Sequence, residues 1–178
     1  MRRWQPAASE TLFHHRLFAL ERRRLEAGAE SREALVLAAP DWVNVVPLLD
    51  DGRVLLVRQW RYGISQPTLE IPGGMLDDGE DERAAAEREL REETGHLARA
   101  FERIGMVHPN PAFLANRCAT YVASGLERIG EPTGDGDEEI AVEAVAAAEL
   151  PALIARGEIT HAIVIAALYL FELHRRGA

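Results

Sequence analysis

The chain predicts an α+β sandwich. Strand-length runs rich in β-branched and aromatic residues fill much of its length, one strongly charged segment has helical spacing, and two further helical segments close the sequence. Long strands carrying a few helices fit a layered α+β domain. At 178 residues the chain suits one domain, or one domain with a small appendage.

Taken in order, residues 1–10 read as loosely ordered. Residues 11–20 and 32–39 alternate enough to be strands, and the charged stretch 21–31 suits a turn or hairpin tip between them. Residues 42–49 and 53–60 are strands flanking Asp50-Asp51-Gly52, a strong hairpin turn. A short strand over 68–71 ends at a turn, Pro72-Gly73-Gly74. The clearest helix is 81–94. Its first turn is acidic, which suits the helix dipole, and Gly95 stands where a left-handed terminating residue belongs. Ala86, Leu90 and Leu97 give it a narrow apolar stripe. Strands follow at 101–107 and 117–124, then a Gly/Pro/Asp loop at 130–136 and a last strand at 140–146. Residues 150–156 and 160–176 are helices, with Thr160 as the N-cap of the second. There is no internal repeat and no low-complexity tract.

Composition narrows the function. The longest apolar run, 162–171, is too short to span a bilayer, so no membrane partner is expected. Met1-Arg2-Arg3-Trp4 is basic but has no apolar segment behind it, which argues against a secretory signal. Cys118 is the only cysteine, which suits a reducing cytoplasm. A net charge of −9 weighs against nucleic acid as a partner. The chain has no lysine, which excludes Schiff-base chemistry, a P-loop lysine and Ser-Lys nucleophile pairs. Any phosphate-binding cation must be arginine or a metal.

The segment 74–96 carries the chemistry. In Arg88-Glu89-Leu90-Arg91-Glu92-Glu93, three carboxylates stand at positions i, i+3 and i+4 and share one helix face. Such crowding is unfavourable by a few tenths of a kcal/mol per pair (~0.2–0.5) unless a cation sits over the face. A hard divalent cation such as Mg²⁺ takes oxygen ligands and keeps several waters. Glu89, Glu92 and Glu93 can supply carboxylates, and Gly73 can bring a backbone carbonyl.

Gly74, Glu80, Arg88-Glu89-Leu90-Arg91-Glu92-Glu93-Thr94-Gly95 at their spacing resemble the Nudix box. The final position of the box, usually aliphatic, is His96, with Leu97 after it. The resemblance implies the Nudix fold, an α/β/α sandwich with a mixed sheet, over residues 41–178. It also implies hydrolysis of a nucleoside diphosphate linked to some group X, with Mg²⁺ or Mn²⁺ as cofactor. In that family the arginine and first glutamate of the box hold the helix and loop together, roles that fall to Arg88 and Glu80.

Two segments resemble the ADP-ribose and nucleotide-sugar pyrophosphatase branch: Val57-Arg58-Gln59-Trp60-Arg61-Tyr62-Gly63 and Leu69-Glu70-Ile71-Pro72-Gly73-Gly74. The resemblance implies that Arg61, with Arg58 as second choice, meets the diphosphate. Trp60 either stacks on the base or packs on its strand, and Glu70 belongs to the same substrate-binding set. Arginine's planar fork matches phosphate oxygens. Asp135-Gly136-Asp137-Glu138-Glu139 resembles the branch's acidic loop, which implies Glu138, or else Glu139, as the base that activates water, alongside Glu92 and Arg88 at the catalytic centre. An N-terminal antiparallel β extension, 1–40, implies a homodimer.

The segment His108-Pro109-Asn110-Pro111-Ala112-Phe113 departs from the branch. Asn110 and Phe113 line a sugar or base pocket, or are simply turn residues. His14, His15, His161 and His174 read as structural. Other readings are hydrolysis of dinucleoside polyphosphates or mRNA on the same box, and a nucleotide-sugar-binding regulator without turnover.

Overall fold

The structure is a computed structural model that describes residues 1–134 and 139–177. The chain divides into two compact units, one of Met1–Asp41 with His108–Arg117 and one of Trp42–Val107 with Cys118–Ala178.

In the first unit three strands form an antiparallel sheet in the order β1-β2-β3: β1 (Gln5–His15), β2 (Phe18–Ala27) and β3 (Glu30–Ala38). The sequence predicts two strands here with a charged connection. The structure instead makes residues 18–27 a central strand and begins β1 within the first ten residues. The charge run Arg22-Arg23-Arg24 conceals the strand because charges in and beside it are answered by side chains on the neighbouring strand. Glu10 stands opposite Arg22 in register, with 3.1 Å between their charged atoms, and Ser9 Oγ donates to Glu21 Oε2. Opposite charges facing across a ladder favour the pairing. The second piece of this unit, 108–117, adds a short parallel bridge from Leu114 to Leu37.

The second unit is built on a mixed sheet that, among the described residues, has seven strands. They are β4 (Trp42–Leu48), β5 (Arg53–Arg61), β6 (Gln66–Glu70), β7 (Gly73–Met75), β8 (His96–Val107), β9 (Cys118–Arg128) and β10 (Ala141–Ala146). The main path runs β10-β5-β4-β9-β8, with β6 paired to β5 and β7 to β4. β4 and β9 are parallel, and the other pairs are antiparallel. The turn expected at Pro72-Gly73-Gly74 is absent as such. Gly73 and Gly74 are extended and pair with Asn44 and Val43, because β4 runs on past its one register pair with β5, Leu48 with Val54, and has a free edge to fill.

Among the described residues three α-helices cover the two faces: α1 (Glu82–Thr94), α2 (Leu150–Ala155) and α3 (Ala162–Arg175). Helix α1 lays Ala85, Ala86 and Leu90 on Val43, Val45, Ala119 and Tyr121. Leu97, expected on the same stripe, lies in β8 and is 45% exposed, because the helix ends three residues earlier, at Thr94. The opposite face packs Val46, Leu56 and Val122 under Leu150, Leu153, Val164 and Phe171. Burying side chains of this size contributes about 1.5–3 kcal/mol each. Alternation along β4 and β9 therefore serves two cores at once, giving the α/β/α layering.

The ends of α1 follow the sequence signals. Asp81 caps it by accepting from Arg83 N and Ala84 N, and Gly95 terminates it at φ 68°. Helix α3 begins later than expected. Its N-cap is His161, not Thr160, and no side chain caps it.

Candidate active site

Arg88 organises the acidic face of α1. Its Nε and Nη2 donate to Glu80 Oε1 and Oε2, each at 3.0 Å, and Nη2 also donates to the Met75 carbonyl at 2.9 Å. Its Nη1 donates to Glu89 Oε1 at 2.8 Å and to Glu92 Oε2 at 3.3 Å. One guanidinium thus ties the loop before the helix to two carboxylates on it. The hydrogen bond to Glu80, aided by the charge of Glu89, holds Arg88 protonated well above the ordinary arginine range despite partial burial. Glu80 is correspondingly held low by the Arg88 hydrogen bond.

Glu89 and Glu93 are buried, at 8% and 6% exposure, whereas Glu92 is half-buried. Glu93 Oε2 accepts the Gly73 N–H at 3.0 Å, which joins the helix face to β7. The two glycines make this contact possible by lacking a Cβ. At Gly73 a Cβ would meet the Val43 carbonyl oxygen at 2.4 Å, and at Gly74 it would collide with the Glu89 carboxylate.

The donor set suits a divalent cation. Glu80, Glu89, Glu92 and Glu93 bring four carboxylates to a region where Arg88 and Arg91 bring two guanidiniums. Two of those carboxylates are nearly removed from solvent, where excess negative charge is costly without a cation. Among the described residues no three acidic, histidine or cysteine side chains close into a cage. An oxygen set that is only partly supplied by protein leaves room for water and phosphate oxygens, as Mg²⁺-type ions require. Glu89, Glu92, Glu93 and the Gly73 carbonyl are the residues that would hold such an ion.

Beside this face, three residues back along the chain from Gly73, is a cavity of about 680 Å³ lined by Trp60, Arg61, Tyr62, Thr68, Glu70 and His161, among others. Three residues span at most about 10 Å, so cavity and acidic face are neighbours. Arg61 grips Glu70 with a two-pronged ion pair, Nε to Oε1 and Nη2 to Oε2, each 2.8 Å. Burial pushes the Glu70 carboxyl up, but hydrogen bonds from Arg61, His161 and Thr68 outweigh it and hold the group well below the usual range. Trp60 is 51% exposed at the cavity, so it is not a core residue of its strand.

The other expected site residues that are described do not line this cavity. Arg58 is not in the cavity lining and donates to Glu143 Oε1 at 2.7 Å. Asn110 and Phe113 belong to the first unit, where Asn110 builds a turn: its carbonyl accepts from Phe113 N and Leu114 N, and its side chain from Ala112 N. Glu139 is exposed just ahead of β10. Glu138 lies outside the described residues. Sequence reasoning missed Tyr62 and His161 as cavity residues. No local signal marks them, since His161 is 91 positions from the carboxylate it contacts.

Comparison with known proteins places this geometry. The family model described as "NUDIX domain" matches residues 40–168. The chain is 32% identical over 168 residues to an ADP-ribose pyrophosphatase of Mycobacterium tuberculosis, covering 92% of this chain and 80% of that protein. It is 29% identical over 169 residues to an ADP-ribose pyrophosphatase of Bacillus subtilis, covering 93% and 91%. Among solved structures, an ADP compounds hydrolase superposes with a TM-score of 0.86 at 25% identity, covering 99% of this chain and 96% of that one.

Proposed function

The chain belongs to the NUDIX family, and from that premise we propose that it hydrolyses the diphosphate of ADP-ribose or another nucleoside diphosphate sugar to a nucleoside monophosphate and a sugar phosphate. The observation that carries the substrate class is the placement of Arg61, on buried Glu70, three residues from the Gly73–Glu93 contact. A diphosphate on Arg61 lies within reach of the acidic face, while an exposed aromatic at the same cavity can meet a base.

In this reading Arg61 binds and orients the diphosphate, Arg88 aligns Glu89 and Glu92, and Glu93 is fixed by the Gly73 amide. Glu138, or else Glu139, takes the proton from the water that attacks phosphorus; the phosphorus–oxygen bond of the anhydride breaks and the second phosphate leaves. Bound Mg²⁺, or Mn²⁺, would neutralise the charge that develops on the diphosphate oxygens.

The decisive experiment incubates the protein with ADP-ribose, GDP-mannose, UDP-glucose, NADH and diadenosine polyphosphates, with and without Mg²⁺, and identifies products by chromatography. Metal-dependent release of a nucleoside monophosphate from a nucleotide sugar is expected. Preferential cleavage of the diadenosine compounds would replace this reading, and cleavage of none would remove it.

We place the enzyme in the cytoplasm as a homodimer. Cys118 is the sole cysteine, and no helix of the described residues is long and apolar enough to cross a membrane. Phe13 and Leu35 stand 53% and 57% exposed on the three-stranded sheet, and every residue of β1 is exposed, which favours a second subunit over that surface. Sedimentation equilibrium at the mass of one chain would reject the dimer, and cell fractionation tests the compartment.

A further inference from the structure

Glu70 is 1% exposed, and both its oxygens are committed. Oε1 accepts from Arg61 Nε at 2.8 Å and from Thr68 Oγ1 at 2.5 Å. Oε2 accepts from Arg61 Nη2 at 2.8 Å and from His161 Nδ1 at 2.6 Å. A carboxylate has about four acceptor sites, so Glu70 has none left for a substrate. Because an ionised carboxylate only accepts, the contact places a proton on Nδ1 of His161, and the opposite nitrogen, Nε2, has no hydrogen bond to the described residues.

One buried anion therefore positions two side chains in the lining of one cavity, each 36% exposed. His161 is also the residue preceding α3, yet its ring turns to Glu70 and caps nothing. The N-terminal end of that helix, through Ala162, lines the same cavity. A guanidinium, an imidazole and the positive end of a helix dipole converge on one space, which favours an anion there over a neutral hydroxyl.

We propose that His161 is a second substrate-binding residue beside Arg61: Glu70 accepts from Nδ1 and fixes the orientation of the ring, and the ring binds substrate as an imidazolium whose Nε2 donates to a phosphoryl oxygen of the nucleotide. The proposal rests on the nucleotide-sugar reading and deepens it. It divides labour in the cavity: Glu70 never touches substrate, and the two groups it holds do.

The test has two arms. The imidazole nitrogens of the ¹⁵N-labelled wild-type protein are followed while metal-free ADP, and separately adenosine, is added. ADP is expected to shift the His161 Nε2 resonance and adenosine to leave it in place. No shift at saturating ADP, or an equal shift with adenosine, overturns the proposal. In the second arm, His161→Leu is expected to raise KM for ADP-ribose about tenfold, equivalent to about 1.4 kcal/mol, with kcat within about twofold, the pattern of binding shared by ground and transition states. His161→Gln, which keeps a donor, is expected to recover most of that loss. Wild-type KM in His161→Leu overturns the proposal. Should His161→Leu fail to fold, the ADP titration of the wild type decides. A wild type that shifts with ADP but cleaves no nucleotide sugar defeats the proposed function and leaves the contact standing.

Discussion

Replacing Gly74 with alanine separates the metal-binding role proposed for this region from its structural one. An alanine Cβ would stand 2.3 Å from Glu89 Oε1, 2.8 Å from its Cδ and 3.0 Å from its Oε2. Non-bonded contacts settle at about 3.5 Å, so the carboxylate must retreat by roughly 1 Å. All three atoms belong to the end of one flexible side chain, and Gly74 does not use the left-handed backbone region. The unfolded chain also loses entropy on gaining a Cβ, a stabilising effect of about 0.4–1 kcal/mol. Stability should therefore stay within about 1 kcal/mol of wild type, which is about 2–4 °C in Tm for a chain of this length. Turnover should not survive as well. A Mg²⁺–oxygen distance is held near 2.0–2.1 Å, and a misplacement of about 1 Å at a catalytic group costs on the order of 100-fold in kcat.

Gly73→Ala is the contrasting variant. Its Cβ would meet the Val43 carbonyl oxygen at 2.4 Å and Asn44 Cα at 2.8 Å, both backbone of a core strand that cannot yield. It should lose about 1–3 kcal/mol of stability. The assay is AMP release from ADP-ribose across a metal titration, alongside thermal denaturation. Undiminished kcat for Gly74→Ala at limiting metal would refute the assignment of Glu89 as a ligand.

Three further outcomes are expected. Glu93→Gln keeps an oxygen for the Gly73 amide but loses the charge, so turnover should fall by orders of magnitude with little change in Tm; near-normal turnover would remove Glu93 from the metal set. Glu138→Gln should abolish the acidic limb of the kcat pH profile while Glu139→Gln leaves it, and the reverse result would exchange the two roles. Glu70, held below its unfolded value, stabilises the fold fully above the unfolded pKa of about 4.3, and that contribution drains away as pH falls. Urea unfolding between pH 7 and pH 3 should show Glu70→Gln with a shallower loss than wild type, and parallel curves would contradict the linkage.

The parts of this protein legible in its sequence are those written in local spacing. The i, i+3, i+4 glutamates and Gly95 specify a helix, its C-terminal end and its charged face, and they sit as expected, while Asp81, expected as the first helical residue, is the N-cap. The Asp50-Asp51-Gly52 turn is legible for the same reason, with Gly52 at φ 83°. What was hidden depends on pairing between elements. β2 is a strand because Glu10 and Ser9 answer its charges, and Gly73-Gly74 is extended because β4 offers an edge. His161 reads as structural until the fold brings it to Glu70. Propensity sees none of these, since each is settled by tertiary pairing.

The C-terminal end of α1 has a mechanical consequence. The Glu92 carbonyl, which helix geometry would leave to solvent, accepts Thr133 N at 2.8 Å and Gly134 N at 3.2 Å, and the Gly95 carbonyl accepts Ile129 N at 2.8 Å and Gly130 N at 3.3 Å. Gly95 is thus required twice, for its left-handed turn and because a Cβ there would lie 2.3 Å from the Gly130 carbonyl oxygen. Glu92 offers its side chain to the acidic face and its backbone to the root of the segment that leads to Glu138. Helix and loop root share one datum, so a tilt of the helix carries the root with it. For protein engineering, 129–134 travels with α1 as a single cassette. A segment grafted from a relative should be joined after Gly134, which leaves this anchor untouched.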